Sequence, residues 1–243
     1  MSSTEMTVDV LAVGAHPDDV ELGVGGLLHK LAKSGHTVGI LDLTRGEMGT
    51  RGTPEERAQE AAKAAEILGV TRRENAALPD GQLANVTAQQ RTLIPLLRSF
   101  RARTLLLPQG RDRHPDHRAA YDLVRDAAYF SGLAKIDTGQ EPYRPAFTYY
   151  YHPYYQDNTM PHFVVDISDH FEAKLAAVGA YASQFYNPEY AGKETYISSQ
   201  TFWERIKVRA EYWGGRVNVT YGEPLSADLP VRLLTLPGLE VEL

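Results

Sequence analysis

Apolar runs alternate with amphipathic stretches over the first two thirds of the 243-residue chain. A short apolar run that ends in glycine or polar residues predicts a buried strand, whereas apolar residues at helical spacing predict a helix. The strands predicted in this way are residues 8–13, 36–43, 75–78 and 103–108. The helices predicted between and after them are residues 20–33, 54–68, 87–102 and 116–130. Strands that alternate with helices favour a mostly parallel sheet with helices on both faces, so the pattern predicts an α/β fold.

The predicted helix at 54–68 has the clearest boundary signals in the chain. Thr53 is placed to cap its first turn, with Pro54 at the first helical position and Glu56 three residues after the cap. This spacing is that of a capping box, in which the cap side chain and the glutamate each bond the other's backbone N–H. Gly69 is the type of residue that commonly ends a helix.

The last third of the chain has a different pattern. The segments predicted as strands are 147–155, 162–167 and 217–221. A helix is predicted to begin at Ser168 or Asp169, and another spans 201–213. The apolar positions of the first of these helices are Phe171, Leu175, Val178, Ala182 and Phe185. Because no repeat or linker interrupts the chain, we predict a single domain over 1–243, with a core at about 7–135 and a C-terminal part at about 145–243.

Composition and charge narrow the range of partners. The formal net charge is −6, which gives no basic surface for nucleic acid or for an anionic membrane. The chain has no cysteine, so any metal must be held by nitrogen and oxygen ligands. No stretch reaches the roughly 20 apolar residues of a membrane helix, and the first residues lack the pattern of a signal peptide. We therefore expect a cytoplasmic protein with no nucleic-acid or membrane partner.

Two histidine-containing words hold the same place relative to their neighbours. HPDD at 16–19 and HPDH at 114–117 each follow a predicted buried strand and precede a predicted helix. A single word of this kind is also ordinary turn and helix-cap chemistry. In an open α/β sheet, however, ligands bind outside the carboxyl ends of the strands, where the strand order reverses. If the order is 3-2-1-4-5, strands 1 and 4 are neighbours and bring the two words together.

The two words together supply a set of metal ligands. His16, Asp19 and His117 offer two imidazoles and a carboxylate, which suit a catalytic Zn²⁺ with an open position. The same ligand types occur in Fe(II) oxygenases, which have no evident use for an acid beside the metal. Oxygen and nitrogen ligands accept several divalent metals, so zinc is the expected cofactor without excluding the others.

Three further residues of these words suit the hydrolysis of an amide or ester. Asp18 is placed to act as a general base toward a water held by the metal. His114 is placed to stabilise developing negative charge or to protonate a leaving group. Asp116 is expected to hydrogen-bond to His114 and fix its tautomer.

Glycines after the first word offer a competing interpretation. Gly23, Gly25 and Gly26 suggest a dinucleotide-binding fingerprint, with Asp42 at the end of the second strand as its acidic partner. The first glycine of that fingerprint belongs in the turn after the strand, whereas these three fall inside the predicted helix. We therefore expect them to allow close packing of the helix on the sheet, which offsets a cost of about 1 kcal/mol each.

The loop after the second strand is rich in glycine and arginine. It carries Arg45, Arg51 and Arg57 at the same edge of the sheet as the histidine words. Such a loop can move over the crevice and bring a guanidinium to an anionic group of a substrate. A solvated, flexible loop is the alternative for any one of these arginines.

Several stretches also match a known family. Those around the two words are AHPDDVELGVGG, TRGE, ERAQEAAKAAEILGV, LPDGQL and DRHPDHRAA. Together they resemble the LmbE-like (PIG-L) zinc-dependent N-deacetylases. The later stretches FVVDIS, AYASQF, TYISSQ and VTYGEPL resemble more narrowly the branch of bacillithiol biosynthesis. The resemblance implies a Rossmann-like fold.

The resemblance implies a role for each matching residue. The metal-binding and catalytic positions are His16, Asp19 and His117 as zinc ligands, Asp18 as general base, and His114 as oxyanion stabiliser with Asp116 behind it. Arg57 matches an arginine of the substrate pocket, and Tyr196 matches a mobile tyrosine that swings toward the metal. Glu21 completes the HPDDxE word and is grouped with Arg51 among the expected substrate-binding residues.

The resemblance also implies a substrate class and an assembly. The family removes acetate from N-acetylglucosaminyl compounds, and in the bacillithiol branch the substrate is N-acetylglucosaminyl malate, whose carboxylates would suit the loop arginines. One zinc ion per subunit and a homo-oligomer, often a hexamer, are implied as well. The alternatives are a deacetylase of another N-acetyl amino sugar conjugate and a non-catalytic sugar-binding protein that keeps the metal as structure.

Overall fold

The computed structural model describes residues 7–152, 154 and 159–230. The strands of this part are β1 (Val10–Gly14), β2 (Val38–Asp42), β3 (Arg72–Asn75), β4 (Thr104–Pro108), β5 (Phe147–Tyr151), β6 (Phe163–Asp166) and β7 (Gly222–Ser226). Its helices are α1 (Asp19–Lys33), α2 (Pro54–Leu68), α3 (Thr87–Phe100), α4 (Pro115–Ser131), α5 (Phe171–Gly179) and α6 (Gln200–Gly215). Within these ranges, no helix combines the length and the apolar character needed to cross a bilayer.

The strands form one sheet in the order β3-β2-β1-β4-β5-β7-β6. β1 to β5 run parallel, and β7 runs antiparallel to both β5 and β6. The chain leaves β1 toward β2 and β3 and then crosses to the other side of β1 for β4, so the strand order reverses between β1 and β4. This confirms the mostly parallel α/β fold and places both histidine words at the reversal.

Helices cover both faces of the sheet. On one face, α3 and α4 pack against the sheet around Leu105 and Leu107. On the other face, α1 packs against the sheet around Ala12 and Ile40. Side chains of α2, α5 and α6 form a further apolar cluster around Phe171. Because the sheet is buried on both faces, the positions of its strands are fixed, and so are the points at which the loops leave their carboxyl ends.

The glycines of α1 allow close packing, as predicted. A Cβ on Gly23 would lie 2.6 Å from the ring of Tyr151, and one on Gly26 would lie 2.7 Å from Ile167. Either distance is shorter than carbon atoms tolerate, so a larger residue would push α1 away from its neighbours. These glycines lie within the helix and outside the turn after β1, which rules out the dinucleotide fingerprint.

Two buried side chains support a bend in α1 at Val24, where the backbone leaves helical values (φ −140°). The Glu223 carboxylate accepts hydrogen bonds from the N–H of Gly26 (3.0 Å) and of the next residue (2.7 Å). Lys174 Nζ donates to the carbonyl of Leu22 (2.8 Å) and pairs with Glu223. Side chains from α5 and β7 therefore fix the course of the helix whose first turn carries part of the first histidine word.

The capping box of α2 is present as predicted. Thr53 Oγ1 accepts from the N–H of Glu56 (3.1 Å), and a carboxylate oxygen of Glu56 accepts from the N–H of Thr53 (3.4 Å). Gly69 follows the helix in a left-handed conformation (φ 71°). α2 therefore begins at a fixed point directly after the arginine-rich loop.

Two predicted strands lie elsewhere in the structure. β3 is at Arg72–Asn75 and not at 75–78, because an edge strand tolerates charged side chains that an apolar pattern passes over. The segment 217–221 forms turns, with Asn218 in a left-handed conformation (φ 61°), and the strand follows at Gly222–Ser226. The glycine and proline of that strand argue against it on propensity alone.

The helix predicted to reach Phe185 is shorter than expected. Ser168–His170 forms a 3-10 turn, α5 ends at Gly179, and turns follow as far as Phe185. Phe185 still packs in the cluster around Phe171, so the apolar series is real although its end is not helical. Part of the predicted strand 147–155 lies outside the described residues, namely residues 153 and 155. The same is true of the two ends of the predicted domain, residues 1–6 and 231–243.

Candidate active site

Loops from the parallel strands meet at the carboxyl edge of the sheet. They surround a cavity of about 370 Å³ whose lining includes both histidine words. The ring centroids of His16 and His114 lie 4.9 Å apart, and those of His114 and His117 lie 4.7 Å apart. Two segments separated by about a hundred residues therefore form one site, as the reversal of strand order predicts.

Asp19 lies between the two histidines that the sequence assigns to a metal. Its Oδ2 is 3.4 Å from Nδ1 of His16, and its Oδ1 is 3.1 Å from Nε2 of His117. Donor atoms around a tetrahedral Zn²⁺ lie about 3.3 Å apart, since each bond is about 2.0–2.1 Å long. The three side chains therefore have the spacing and the chemistry of a zinc site with an open position.

Other groupings of ligand atoms lie close by. The nitrogens of the three histidine rings lie within 4.8 Å of one another, and Nε2 of His16 is as close to Asp80 and Asp116. We favour the set centred on Asp19, because its two oxygens face both His16 and His117, whereas Asp80 and Asp116 face Nε2 of His16 alone. Those two carboxylates are better placed to support a ligand than to replace one.

The far nitrogens of both metal-site imidazoles face carboxylates. Nε2 of His16 is 3.0 Å from Asp80 Oδ1 and 3.4 Å from Asp116 Oδ2. Nδ1 of His117 is 2.7 Å from Asp112 Oδ2. Such partners fix the orientation of a ligating imidazole and raise its basicity.

The electrostatics of the metal-free site favour positive charge. Burial by itself would lower the pKa of His117, but Asp19 and Asp112 raise it to about 10. Burial also opposes a rise for His16, yet hydrogen bonds to neighbouring carboxylates raise its pKa well above the usual value. Conversely, the two imidazoles hold the pKa of Asp19 well below its usual range despite its burial. The site therefore has a surplus of carboxylates that a divalent cation would neutralise.

Asp18 enters the cavity from a strained turn. Its φ of 109° is rare for residues other than glycine, and its side chain makes no capping bond although it stands at the N-cap of α1. Its Oδ2 accepts from Nη2 of Arg57 at 2.9 Å. Burial raises the pKa of Asp18 to about 7, with Arg57 opposing the rise and Asp19 adding to it. A carboxylate with a pKa near neutrality suits general-base catalysis.

His114 occupies the N-cap of α4. Its Nδ1 accepts from the N–H of Asp116 at 3.2 Å, so in the neutral ring the proton is on Nε2. Burial lowers the pKa of His114, and the charge on His117 lowers it further. His114 is therefore a neutral ring in the cavity lining whose Nε2–H is available as a donor toward negative charge.

Asp116 acts on His114 in a different way from the one expected. Its carboxylate accepts from the N–H groups of Gly81 (2.7 Å) and Leu83 (3.3 Å) and faces His16. The backbone N–H of Asp116 sets the tautomer of His114, because the first N–H groups of a helix need an acceptor at the cap. The carboxylate instead supports the other histidine word.

The structure places Glu21 away from the cavity, which corrects the expectation of a substrate contact. Glu21 is fully buried, and its Oε1 accepts from Nη1 of Arg73 (2.5 Å) and from the hydroxyl of Tyr181 (2.9 Å). Arg73 also donates from Nε to Asp42 (2.8 Å). Because Glu21 is two positions after Asp19, it points about 200° around the helix from it.

Arg57 lines the cavity, but its guanidinium is already engaged. Nη1 donates to the carbonyl of Gly46 (3.1 Å), and Nη2 donates to the carbonyl of Pro17 and to Asp18. Arg57 is also almost fully buried. It therefore ties the base and the strained turn to the arginine-rich loop, and its expected contact with substrate stays a prediction.

Arg51 and Tyr196 lie beside the cavity and are absent from its lining among the described residues. Arg51 is buried, with its guanidinium carbon 4.4 Å from the ring centroid of Tyr190. Tyr196 is half-exposed, and its hydroxyl accepts from Arg205 (2.7 Å). The swing of Tyr196 toward the metal stays a prediction.

Sequence reasoning missed three side chains that shape the site. Asp80 and Asp112 orient the two metal-site imidazoles, and His152 is buried in the cavity lining. The signals were present for the two acids. Asp112 stands two residues before the second histidine word, and Asp80 follows β3 at the same edge of the sheet. Both acids follow the carboxyl end of a parallel strand, which is where an α/β sheet binds its ligands.

Comparison with known sequences identifies relatives of this chain. A family model described as PIG-L, GlcNAc-PI de-N-acetylase, matches residues 11–128, which include both histidine words. The chain is 33% identical over 191 residues to diacetylchitobiose deacetylase of Thermococcus kodakarensis. That match covers 72% of this chain and 70% of the relative.

Solved structures share the fold. The conserved protein TT1542 from Thermus thermophilus has a TM-score of 0.86 at 41% identity, covering 97% of this chain and all of that one. N,N'-diacetylchitobiose deacetylase from Pyrococcus horikoshii, solved with an inhibitor, has a TM-score of 0.74 at 28% identity. The latter match covers 89% of this chain and 82% of that one.

Proposed function

Because the chain belongs to the PIG-L family of GlcNAc-PI de-N-acetylases, we propose that it is a metal-dependent hydrolase that removes the N-acetyl group from an N-acetylglucosaminyl substrate. The observation that carries this proposal is a buried base, Asp18, and a neutral N–H donor, His114, in one cavity with a set of metal ligands. A metal that served structure alone would need neither. Similarity to two diacetylchitobiose deacetylases supports the same type of reaction.

We propose that His16, Asp19 and His117 hold one Zn²⁺ per subunit. The donor set, its spacing and the surplus of surrounding carboxylates support this assignment. When bound, the cation supplies a Lewis acid for the amide carbonyl and lowers the pKa of a water molecule to about 7. Family membership favours hydrolysis over the Fe(II) oxygenase alternative, which has no evident use for Asp18. Metal analysis of the purified protein distinguishes zinc from other divalent cations.

Two side chains of the cavity have separate roles in the proposed amide hydrolysis. Asp18 accepts a proton from the attacking water as the new carbon–oxygen bond forms. The Nε2–H of His114 donates a hydrogen bond to the amide oxygen as that oxygen gains negative charge. When the carbon–nitrogen bond breaks, Asp18 passes the proton it took from the water to the amine, so that acetate and a free amine leave.

We propose N-acetylglucosaminyl malate as the substrate, since the later stretches of the chain resemble the bacillithiol branch. Another N-acetyl amino sugar conjugate, such as a chitobiose derivative, is the alternative that the relatives support. A cavity of about 370 Å³ is within the roughly 300–1,000 Å³ of small-molecule sites. Deacetylation rates for a panel of N-acetylglucosamine conjugates, malate conjugate included, decide between them.

We also propose a cytoplasmic homo-oligomer, with a hexamer as the expected state, and no nucleic-acid or membrane partner. The net charge of −6 supports the last part of this proposal, and the resemblance to the bacillithiol branch supports the assembly. Light scattering coupled to size-exclusion chromatography measures the oligomeric state directly.

An assay for released acetate and for the primary amine tests the proposed function, with metal content measured on the same sample. Turnover that rises with metal occupancy supports a metal-dependent deacetylase. Binding of an N-acetyl sugar with no release of acetate would support a non-catalytic sugar-binding protein instead.

A further inference from the structure

Arg51 is a buried guanidinium with an unused hydrogen-bonding edge. The residue is only 7% exposed, and neither Nε nor Nη2 has a hydrogen-bond partner among the described residues. The guanidinium stacks on the ring of Tyr190. Burying a charged group without partners is costly, so an unsatisfied group of this kind in a folded protein requires an explanation.

The two unpartnered nitrogens lie on the same edge of the guanidinium. The N–H of Nε and one N–H of Nη2 point in parallel, and a carboxylate or phosphate engages such an edge with two hydrogen bonds. Arg73 and Arg98 instead donate from this edge to protein oxygens. Arg57 also has an unpartnered Nε, but both of its terminal nitrogens donate to protein oxygens, so its edge is not free as a pair. The edge of Arg51 is left complementary to an oxyanion.

Arg51 lies directly behind the wall of the catalytic cavity. Gln184 lines the cavity and donates from Nε2 to the backbone carbonyl of Arg51 at 2.6 Å. Residues 186–196, which we call the strap, run from Phe185 to Ile197, and both of these residues line the cavity. Movement of the strap would therefore change the cavity and the surroundings of Arg51 together.

The strap covers the unused edge, and the hydroxyl of Tyr190 is one of the groups that hold it. A Cβ on Gly192 would lie 3.7 Å from Nε of Arg51, so the strap backbone passes close to that edge. The hydroxyl of Tyr190 accepts from the N–H of Gly52 (3.1 Å) and donates to Glu56 (3.4 Å). These contacts join the strap to the start of α2.

We propose that Arg51 forms an oxyanion subsite for the aglycone of the substrate, the part joined to the N-acetylglucosaminyl sugar. This subsite rests on the proposed deacetylase function and names its substrate class: a conjugate whose aglycone carries a carboxylate. The strap lifts from Arg51, and the carboxylate binds the Nε and Nη2 edge side-on while the sugar occupies the cavity. A phosphate presents the same pair of oxygens, and the experiment separates the two.

The kinetic test compares substrates that differ only in the charge of the aglycone. N-acetylglucosaminyl malate carries carboxylates, N-acetylglucosamine 1-phosphate carries a phosphate, and the methyl glycoside is neutral. For Arg51→Gln we expect the ratio of kcat/KM between the malate conjugate and the methyl glycoside to fall about 10- to 100-fold, mostly through KM. Arg51→Lys keeps the charge but not the paired donors, so it restores only a small part of the ratio.

Arg91→Gln is the matched control, since it removes an exposed arginine of α3 that has no part in the proposed site. We expect the wild-type ratio in this variant. Thermal unfolding and metal content of each variant show that it is folded and loaded. A fall in the phosphate ratio alone would replace the carboxylate with a phosphate, and equal losses on all three substrates would overturn the subsite.

A binding measurement keeps the subsite testable if no conjugate is deacetylated. Calorimetric titration of the metal-loaded protein with malate, and separately with inorganic phosphate, measures the subsite without turnover. We expect binding of malate to wild type and to Arg91→Gln, and binding at least about tenfold weaker to Arg51→Gln. Arg51-dependent binding without deacetylation would overturn the proposed function alone. Deacetylation of the malate conjugate with no dependence on Arg51 would overturn the subsite alone.

Discussion

Two buried charge clusters lie on opposite sides of the first turn of α1. Both contain carboxylates that face cationic side chains, but one serves the stability of the fold and the other is the proposed metal site. On one side, Glu21 and Asp42 surround the guanidinium of Arg73, and the hydroxyl of Tyr181 contacts both Glu21 and Arg73. The cation of this cluster is part of the chain. The Glu21 cluster, as we call these four residues, is therefore closed by its own arginine.

On the other side, the cations that face the carboxylates are titratable imidazoles and not an arginine. Asp19, Asp80, Asp112 and Asp116 face two imidazoles and open on a cavity, and we call these residues with His16 and His117 the metal cluster. Imidazoles are cationic only while they hold protons, and a metal replaces those protons. A buried acidic cluster is therefore suited to bind a metal when its cations are titratable and it opens on a cavity, which is why we propose the metal for this cluster alone.

The largest effect is expected when the metal cluster loses a ligand. We expect His117→Ala, and equally His16→Ala, to lose stoichiometric zinc and to reduce deacetylation about a thousandfold or more, because Lewis-acid chemistry goes with the metal. Metal content after dialysis and a released-amine assay measure the two losses. His36→Ala, which removes an exposed imidazole, should keep both properties. Full metal content in His117→Ala would remove that residue from the ligand set.

Neutralising one acid on each side of α1 should have different effects, on catalysis on one side and on stability on the other. We expect Asp18→Asn to lower kcat by about 10²- to 10⁴-fold with zinc retained, because the general base is lost and the ligands are not. Glu21→Gln should instead lower the free energy of unfolding by about 1–3 kcal/mol, since its buried carboxylate serves only Arg73 and Tyr181. Steady-state kinetics, zinc analysis and urea unfolding of both variants make the comparison. Near-normal kcat in Asp18→Asn would contradict its role as base.

Substitution of Arg73 tests whether the Glu21 cluster depends on its own arginine to neutralise the buried carboxylates. Arg73→Met leaves Glu21 and Asp42 buried without their partner, and we expect the free energy of unfolding to fall by about 3–5 kcal/mol. Zinc content of the folded variant should be unchanged. Arg125→Met removes an exposed arginine whose ion pairs lie at the surface, and there we expect a change of at most about 1 kcal/mol. Equal losses of unfolding free energy in Arg73→Met and Arg125→Met would show that the buried arginine contributes no more to stability than the exposed one.

Removal of a supporting carboxylate gives a smaller effect on the metal cluster. Asp112 accepts from His117 and makes no contact that assigns it to the metal, so Asp112→Asn should weaken zinc affinity about 10- to 100-fold and leave the ligand set intact. Competition with a chromophoric chelator measures this affinity. Asp122→Asn, an exposed change on the same helix as His117, is the control. Complete loss of zinc in Asp112→Asn would make it a ligand.

The meeting of the two histidine words was predictable from sequence because both lie at strand ends, whereas their role as metal ligands stays a prediction. The two histidine words follow β1 and β4, and the alternation of strands and helices is enough to predict that these ends meet. The position of Glu21 was also within reach, since two helical steps from Asp19 turn a side chain to the far side. The identity of its partner was not, because Arg73 reaches it through the pairing of β3 with β2.

Features that depend on irregular backbone escaped prediction. The φ of 109° at Asp18 follows from the surroundings of the turn, and no sequence word encodes it for an aspartate. Arg51 belongs to a loop that the sequence correctly links to the cavity, but its burial depends on the path of residues 186–196. β3 was misplaced because its charged residues satisfy partners in the structure that an apolar pattern does not represent.

The smallest effect we predict is the release of protons when the metal cluster takes up zinc. In the metal-free protein the pKa of His117 is raised to about 10, so the ring is protonated at pH 8, whereas a ligating ring is neutral at the donor nitrogen. Uptake at pH 8 should therefore release at least one proton, because the pKa of His16 is raised as well, and zinc affinity should rise with pH up to about 10. The raised pKa also means that this imidazolium stabilises the metal-free fold below about pH 6.5 and ceases to do so as the pH rises through 10. The Glu21 cluster contributes no such change, because its cation is an arginine that stays charged over this range. Calorimetry of zinc binding in buffers of different ionisation enthalpy counts the protons, and a count of zero at pH 8 would show that His117 is neutral before the metal arrives.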